Sequence, residues 1–239
     1  MNFENKIIFV SGANRGIGKA LVSALLKRNV SKIYAGARNT LKHGDGRVVH
    51  VGLDITSSDQ VHDAAMVAAD TDILINNAGV AAYASALEGS LELAKRDMDT
   101  NCFGTLDMMR NFVPVLETKG APAIVNIVSI AAFVNFPFLG GYSASKAALF
   151  SLTQGARLEL SIKGISVHSV NPGPIDTDMA KNIEMDKMSP SATADAILNG
   201  LEKDKLDFSP DPTGAAMFET WRNDYCALES MVADMIVGS

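Results

Sequence analysis

Tyr142 and Lys146 lie four residues apart in Tyr142-Ser143-Ala144-Ser145-Lys146, and Ser129 stands thirteen residues before the tyrosine. On a helix that spacing puts the phenol and the ammonium on one face, about one turn apart. An ammonium beside a phenol favours phenolate, which predicts a Tyr142 pKa below its usual value of about 10. Each unit of such a fall is about 1.4 kcal/mol of differential interaction. A tyrosine tuned this way can give or take a proton at an alcohol or carbonyl oxygen. Ser129 follows the apolar run Ala123-Ile124-Val125-Asn126-Ile127-Val128. That places it at a strand's end, with its hydroxyl available to the same oxygen. By itself the pair has a bland alternative: Tyr-x-x-x-Lys arises by chance on exposed helices, and a serine there also caps turns.

The elements that must position these groups are legible from the start of the chain. Lys6-Ile7-Ile8-Phe9-Val10 reads as a strand, Ser11-Gly12-Ala13-Asn14-Arg15-Gly16-Ile17-Gly18 as a turn, and the residues to about 28 as a helix. Glycines let a backbone turn tightly and approach a pyrophosphate, which then sits at the positive end of the helix. The spacing is G-x-x-x-G-x-G, not the usual dinucleotide G-x-G-x-x-G. A second strand, Ser31-Lys32-Ile33-Tyr34-Ala35-Gly36, leads to Ala37-Arg38-Asn39. An acid at that turn would accept from a ribose 2′-hydroxyl and repel a 2′-phosphate. The turn carries Arg38 instead, and Arg15 sits in the glycine loop. Two guanidiniums at one spot suit a phosphate, so NADP is expected over NAD; the alternative is that both are merely solvated.

Residues 40–47, with Gly44, Asp45 and Gly46, make a poor helix, so the second crossover is expected to be a loop or a single turn. A third strand ends at Asp54-Ile55-Thr56, where Asp54 faces an adenine or caps the helix of about 58–68. A fourth, Asp72-Ile73-Leu74-Ile75, ends in Asn76-Asn77-Ala78-Gly79, residue types that suit a ligand crevice. Helices are expected over about 87–97 and 101–118, with Asn101 an unusual choice at such a position. The loop 130–141 holds Phe133, Phe136 and Phe138, and the irregular stretch 176–189 holds Met179, Met185 and Met188. Apolar rings beside a polar reacting group, and flexible methionines near a crevice, predict an apolar pocket with a lid; ordinary packing is the alternative for each. Tyr142 and Lys146 open a helix to about 162, strand six follows, and Asn171-Pro172-Gly173-Pro174 stops it. A helix over about 191–203, a short strand around 206–208 and a terminal helix over about 215–236 complete the chain.

The 239 residues suffice for one large α/β domain, and 47% hydrophobic composition fits a sheet covered on both faces. A net charge of −6 argues against a sequence-independent grip on nucleic acid. No apolar run approaches the roughly 20 residues that a membrane helix needs, and the first apolar run is strand-like, not a signal peptide. Cys102 and Cys226 do not make a disulfide framework, so a reducing cytoplasm is expected. His43, His50, His62 and His168 show no metal-ligand spacing and are expected on surfaces or loops.

Taken together, the motifs Gly12-Ala13-Asn14-Arg15-Gly16-Ile17-Gly18, Asn76-Asn77-Ala78-Gly79, Asn101, Ser129, Tyr142-x-x-x-Lys146 and Asn171-Pro172-Gly173 make the chain resemble the classical short-chain dehydrogenase/reductase family. The resemblance runs from about 6 to 179, with a continuation to about 208. It implies a Rossmann-type, doubly wound parallel sheet of about seven strands in the order 3-2-1-4-5-6-7, with helices on both faces. It further implies one domain over 1–239, a substrate loop at about 176–190 and a C-terminal helix at about 213–236. In that family's terms Tyr142 is the acid/base and also contacts the cofactor, and Lys146 lowers its pKa and binds the nicotinamide ribose. Ser129 holds the substrate oxygen, and Asn101 supports a water that links Lys146 to solvent. Gly12, Asn14, Gly16, Ile17 and Gly18 line the pyrophosphate. Arg15 and Arg38 match the NADP-preferring pattern, Asp54 and Ile55 lie at the adenine, and Asn77, Ala78 and Gly79 line the adenosine side. Pro172, Gly173, Ile175 and Thr177 contact the nicotinamide amide and phosphate, and Phe133, Phe138 and Met179 line the substrate pocket. The implied activity is NADP(H)-dependent interconversion of an apolar or aromatic carbonyl and its alcohol, a small-molecule substrate. The alternatives are a nucleotide-binding redox sensor or scaffold, and epimerase or dehydratase chemistry. Two departures stand out: the short second crossover, and Phe208-Ser209-Pro210-Asp211-Pro212 where relatives carry a glycine-rich strand ending. Because that ending builds a tetramer interface in many relatives, a homodimer through the helices of about 101–118 and 142–162 is expected.

Overall fold

Seven strands form one sheet: β1 (Ile7–Ser11), β2 (Lys32–Ala37), β3 (Val48–Gly52), β4 (Ile73–Asn76), β5 (Ala123–Ile127), β6 (Ser166–Val170) and β7 (Asp207–Phe208). Their spatial order is β3-β2-β1-β4-β5-β6-β7 and every pairing is parallel. This is the Rossmann-type order expected from the sequence. The structure is a computed structural model that describes residues 1–39 and 43–237, with side chains to residue 234. Of the expected loop 40–47, residues 40–42 lie outside the described residues, and the rest carries no helix.

Strands buried on both faces need apolar side chains at successive positions, because each residue points to the opposite side from the last. In β1, Ile8 and Val10 pack with Leu21 and Leu25 of α1 (Gly16–Leu26) and with Ile197, Leu198 and Leu201 of α6 (Pro190–Glu202). Phe9 points the other way, to Val61 of α2 (Ser58–Val67) and to Met108, Phe112 and Leu116 of α4 (Thr105–Leu116). β4 divides likewise, Ile73 and Ile75 on the first face and Leu74 on the second. The strand order reverses between β1 and β4. In such sheets the crevice for ligands opens at that point, beyond the carboxyl ends of the strands.

A buried polar chain fixes α5 (Gly140–Ser161), the helix of Tyr142 and Lys146, against the sheet. Asn76 Nδ2 donates to Asn126 Oδ1 (2.9 Å), and Asn126 Nδ2 donates to Thr153 Oγ1 (2.9 Å). All three residues are buried, and the two bonds favour one register of helix on sheet, although Asn76 Oδ1 itself has no partner.

Three boundaries differ from expectation. Helix α3 (Leu91–Met98) starts later than residue 87, because Ser85 Oγ accepts from Leu87 N and Glu88 N and holds that stretch in a turn. α3 then runs through a π turn, Asp99–Gly104, straight into α4, with Asn101 inside the turn. The terminal helix is two helices, α7 (Pro212–Asn223) and α8 (Tyr225–Val237). Asp224 breaks it with extended backbone and caps α8, its carboxylate accepting from Cys226 N (3.0 Å) and Ala227 N (3.2 Å). His168, expected on a surface, is buried in β6 with Nδ1 2.8 Å from Lys205 O. Among the described residues no helix is long and apolar enough to cross a membrane.

Candidate active site

A cleft of about 750 Å³ opens at the carboxyl ends of the strands. That volume is within the range of small-molecule and cofactor sites. Its first wall is the glycine loop. Gly12 has φ +67°, and a Cβ there would meet Ala78 Cα at 2.8 Å, so only glycine lets β1 turn this close to β4. Asn77 locks the two together: its Nδ2 donates to Ser11 O (3.0 Å) and Gly12 O (3.1 Å). Asn77 is thus a brace for the loop as well as a lining residue. The N-cap of α1, Arg15, makes no side-chain cap bond, and the first turn holds no acid. The first backbone N–H groups of α1 therefore have no intrahelical acceptor, and Asn14, Arg15, Gly16 and Ile17 line the cleft. This end of the cleft fits a pyrophosphate.

Further along the same cleft lie Arg38, Asp54 and Ile55. Asp54 accepts from Thr56 N (3.0 Å) and Thr56 Oγ1 (2.7 Å), which holds its carboxyl below the usual carboxylate range, with a smaller contribution from Arg38. The cap of α2 is Ser57, not Asp54. Arg15 Nη1 stands 3.6 Å from Asp178 in the loop after β6. Both side chains of that pair are well exposed, so it contributes little and exchanges readily for another anion.

Ser129, Tyr142 and Lys146 line the same cleft with Gly79. Lys146 is buried, with Nζ donating to Ile127 O (2.9 Å) and lying 5.8 Å from the centroid of the Tyr142 ring. Asn101 is fully buried in the π turn, a geometry that recurs at functional sites. Its Oδ1 accepts from Val80 N (2.9 Å), and its Nδ2 donates to Val80 O (2.8 Å) and Ser145 Oγ (2.9 Å). Asn101 thereby ties the loop after β4 to the first turns of α5. A Cβ on Gly79 would lie 3.0 Å from Asn101 Oδ1 and 3.7 Å from Lys146 Nζ, so Gly79 sits at the lysine end and not on the adenosine side as expected.

The electrostatics also differ from expectation. Burial pushes the Tyr142 phenol up to about 12; the Ser129 hydroxyl beside it works the other way, and the charges of Tyr83 and Asp97 add to the rise. Burial also brings Lys146 down to about 8, opposed by Asp97. The lysine does not win against desolvation, because its own charge is disfavoured in the same dry corner. Tyr142 keeps partial access to the cleft, so a polar ligand or water entering there moderates its rise. Asp97, on α3, is the buried acid behind the site: Ala82 N donates to its two oxygens at 3.2 and 3.0 Å.

The remaining wall is apolar. Phe136, Phe138, Met179, Ile183 and Met185 line it. Tyr83 stacks on Phe138 with centroids 6.4 Å apart and planes 6° apart, and its hydroxyl donates to Met179 O. The loops after β4, β5 and β6 thus meet at Tyr83. Phe133 does not reach the cleft. It packs on Phe150, Phe218 and Trp221, with the Trp221 centroid at 4.3 Å, because α7 covers that side of the loop after β5. Met188 is not among the residues that line the cleft; its backbone pairs with Ile175 by a bridge. Tyr83, Arg96 and Thr100 line the cleft without having been expected there; no local pattern marks them, since their place depends on how α3 folds back over the strand ends.

The sequence model described as short chain dehydrogenase matches residues 6–188. A short chain dehydrogenase from Burkholderia cenocepacia J2315, solved in complex with NADP, is 40% identical with a TM-score of 0.93, over 97% of this chain and 99% of that one. A short chain dehydrogenase/reductase from Burkholderia phymatum, solved in complex with NAD, shares the fold at 22% identity and a TM-score of 0.82, over 93% of each chain. A short chain dehydrogenase of Monascus purpureus is 30% identical, over 82% of this chain and 75% of that protein.

Proposed function

The chain belongs to the short chain dehydrogenase family, and from that premise we propose that it is an NADP(H)-dependent enzyme reducing an apolar or aromatic ketone or aldehyde to its alcohol, and the reverse. The observation that carries this is one cleft lined at once by Tyr142, Ser129 and Lys146, by Arg15 and Arg38, and by an apolar wall. A turnover-free sensor is disfavoured because Ser129, Tyr142 and Lys146 all line the cleft; epimerase or dehydratase chemistry would use the same tyrosine and lysine and is the alternative.

When bound, a reduced nicotinamide dinucleotide supplies the hydride. The open first turn of α1 with Gly12, Asn14, Gly16 and Ile17 would hold its pyrophosphate, Arg15 and Arg38 a 2′-phosphate, and Asp54 with Ile55 the adenine; Gly18, expected there too, is buried outside the cleft, where a Cβ would meet Gly12 O at 2.2 Å. Lys146 would hold the nicotinamide ribose, and residues 172–177 the nicotinamide amide and adjacent phosphate. At the reacting end, the hydroxyls of Ser129 and Tyr142 converge where a carbonyl oxygen gains negative charge, the point at which fixed donors act most strongly. Tyr142 then gives up its proton. A phenol held near 12 is protonated throughout the neutral range, the state that the acid role requires. Both Nδ2 hydrogens of Asn101 are engaged, and Oδ1, with one bond from Val80 N, keeps a lone pair that would serve a relay water toward Lys146. The stacked Tyr83 and Phe138 rings, with Met179 and Phe136, favour a flat apolar substrate.

Changing Arg38 to Asp moves cofactor preference toward NAD. A charge-assisted bond to the 2′-phosphate contributes about 1.5–3 kcal/mol, so the ratio of kcat/KM for NADPH over NADH falls by about 10- to 100-fold. An unchanged ratio means that the phosphate is held elsewhere. We also propose a cytoplasmic homodimer through α4 and α5. Leu158 and Ile162 stand one turn apart on α5 with 77% and 89% exposure, an apolar pair that a monomer leaves in water. Light scattering is expected to give the mass of two chains, and Leu158→Lys to give one; a stable tetramer contradicts this.

A further inference from the structure

We propose that Asp211, in the turn between β7 and α7, is a positioning residue that sets the loop of residues 172–175 and, through it, Ser129. The proposal rests on the functional reading above. Asp211 is 3% exposed. Its Oδ1 accepts from Gly214 N (2.7 Å), the ordinary cap of α7. Its Oδ2 reaches out of that helix and accepts from Gly173 N (2.7 Å) and from Ser209 Oγ (3.2 Å). One buried carboxylate therefore serves two backbone amides from distant parts of the chain, by short charge-assisted bonds.

The two amides belong to backbones in direct contact. A Cβ on Gly214 would lie 2.8 Å from Gly173 N and 2.2 Å from Ser209 Oγ; one on Gly173 would lie 3.0 Å from Gly214 N. With no side chain between them, the first turn of α7 and Gly173 can move only together. From Gly173 the connection continues to the site. Pro172 O accepts from Ile130 N (3.1 Å) and from the Ser129 hydroxyl (3.4 Å). The far side of α7 rests, through Phe218 and Trp221, on Phe133 of the same loop after β5. The C-terminal helices thus brace Ser129 from two sides, and Asp211 is the polar joint.

A cap alone does not require this residue. Serine caps a helix with one oxygen but has no second acceptor on this reach, and asparagine presents an amide N–H₂ to one of the two donors. Asp211→Ser therefore keeps the cap and releases Gly173, while Asp211→Asn keeps the size and turns one bond into a donor–donor contact. Trp221, the single tryptophan, reports whether α7 stays seated. In the cofactor-free protein, the Gly173 amide proton is expected to move upfield and to exchange about tenfold faster in both variants. Trp221 emission stays unchanged in Asp211→Ser. With NADPH and a reducible ketone, kcat per folded molecule falls about tenfold in both, since small misplacement of reacting groups is costly. An unperturbed Gly173 amide, or kcat within twofold of wild type in both variants, overturns the role of Asp211 alone. A wild type inactive with every carbonyl tried overturns the functional reading and this role with it.

Discussion

Replacing Tyr142 with Phe lowers ketone reduction by about 10³-fold, while NADPH affinity changes by less than about threefold. The hydroxyl is the only group lost. It serves twice, as proton donor and as one of two hydrogen bonds to the oxygen that becomes negative. General acid catalysis contributes about 10²–10⁴-fold and one oxyanion donor about 10²–10³-fold. Both effects pass through one atom, so they do not multiply, and about 10³, a value inside both ranges, is the expected loss. Cofactor binding is expected to be spared because the phosphate contacts proposed above come from α1, Arg15 and Arg38. Fluorescence titration of NADPH, followed by turnover at saturation, separates the two quantities. Loss of binding in step with loss of rate means that the phenol is a cofactor contact and not the acid.

Replacing Lys146 with Met also removes activity, by about 10³-fold, yet leaves the fold no less stable at pH 7. The lysine is buried and its pKa falls from 10.5 to about 8. That fall is a cost of about 3 kcal/mol to the charged folded state. Against it, methionine leaves Ile127 O without its partner, at about 1–3 kcal/mol. The two nearly cancel, but their pH dependence does not. Between about 8 and 10.5 the unfolded chain holds the lysine proton and the folded chain has released it, so wild-type stability rises with pH across that window. Below it the full cost is present in wild type and absent from the variant. Chemical denaturation at pH 7 and pH 10 is expected to show wild type gaining on Lys146→Met by about 3 kcal/mol. No change in the difference means that Lys146 is not buried as a cation.

The strands were legible because parallel strands buried on both faces leave unmistakable apolar runs, and Ile8, Phe9 and Val10 are divided between the faces as such runs demand, whereas their order came only with the family resemblance. The cleft's motif residues were legible for a related reason: glycines and asparagines at strand ends have few other uses. What escaped depends on tertiary burial. The direction of the Tyr142 shift turned on how dry the corner is, which the spacing of Tyr142 and Lys146 does not encode. Phe133 and Phe138 are alike in sequence, and only the seating of α7 sends one to the aromatic cluster and the other to the cleft. The break at Asp224 interrupts an apolar pattern that continues through it. Asp211 stands in a turn where an aspartate caps a helix as a matter of course, and its second oxygen matters only because β6 ends beside it.

The central claim is that the Tyr142 phenol exchanges its proton with the substrate oxygen. Initial rates of NADPH-driven ketone reduction and of NADP-driven oxidation of the matching alcohol, followed from pH 6 to pH 10 in wild type and Tyr142→Phe, test it most directly. The expected result in wild type is reduction that holds level up to pH 10, because a phenol near 12 stays protonated there, and oxidation that rises with pH as the phenolate fraction grows, with near-zero rates in the variant. Profiles that run parallel, or a variant that keeps wild-type turnover, contradict it.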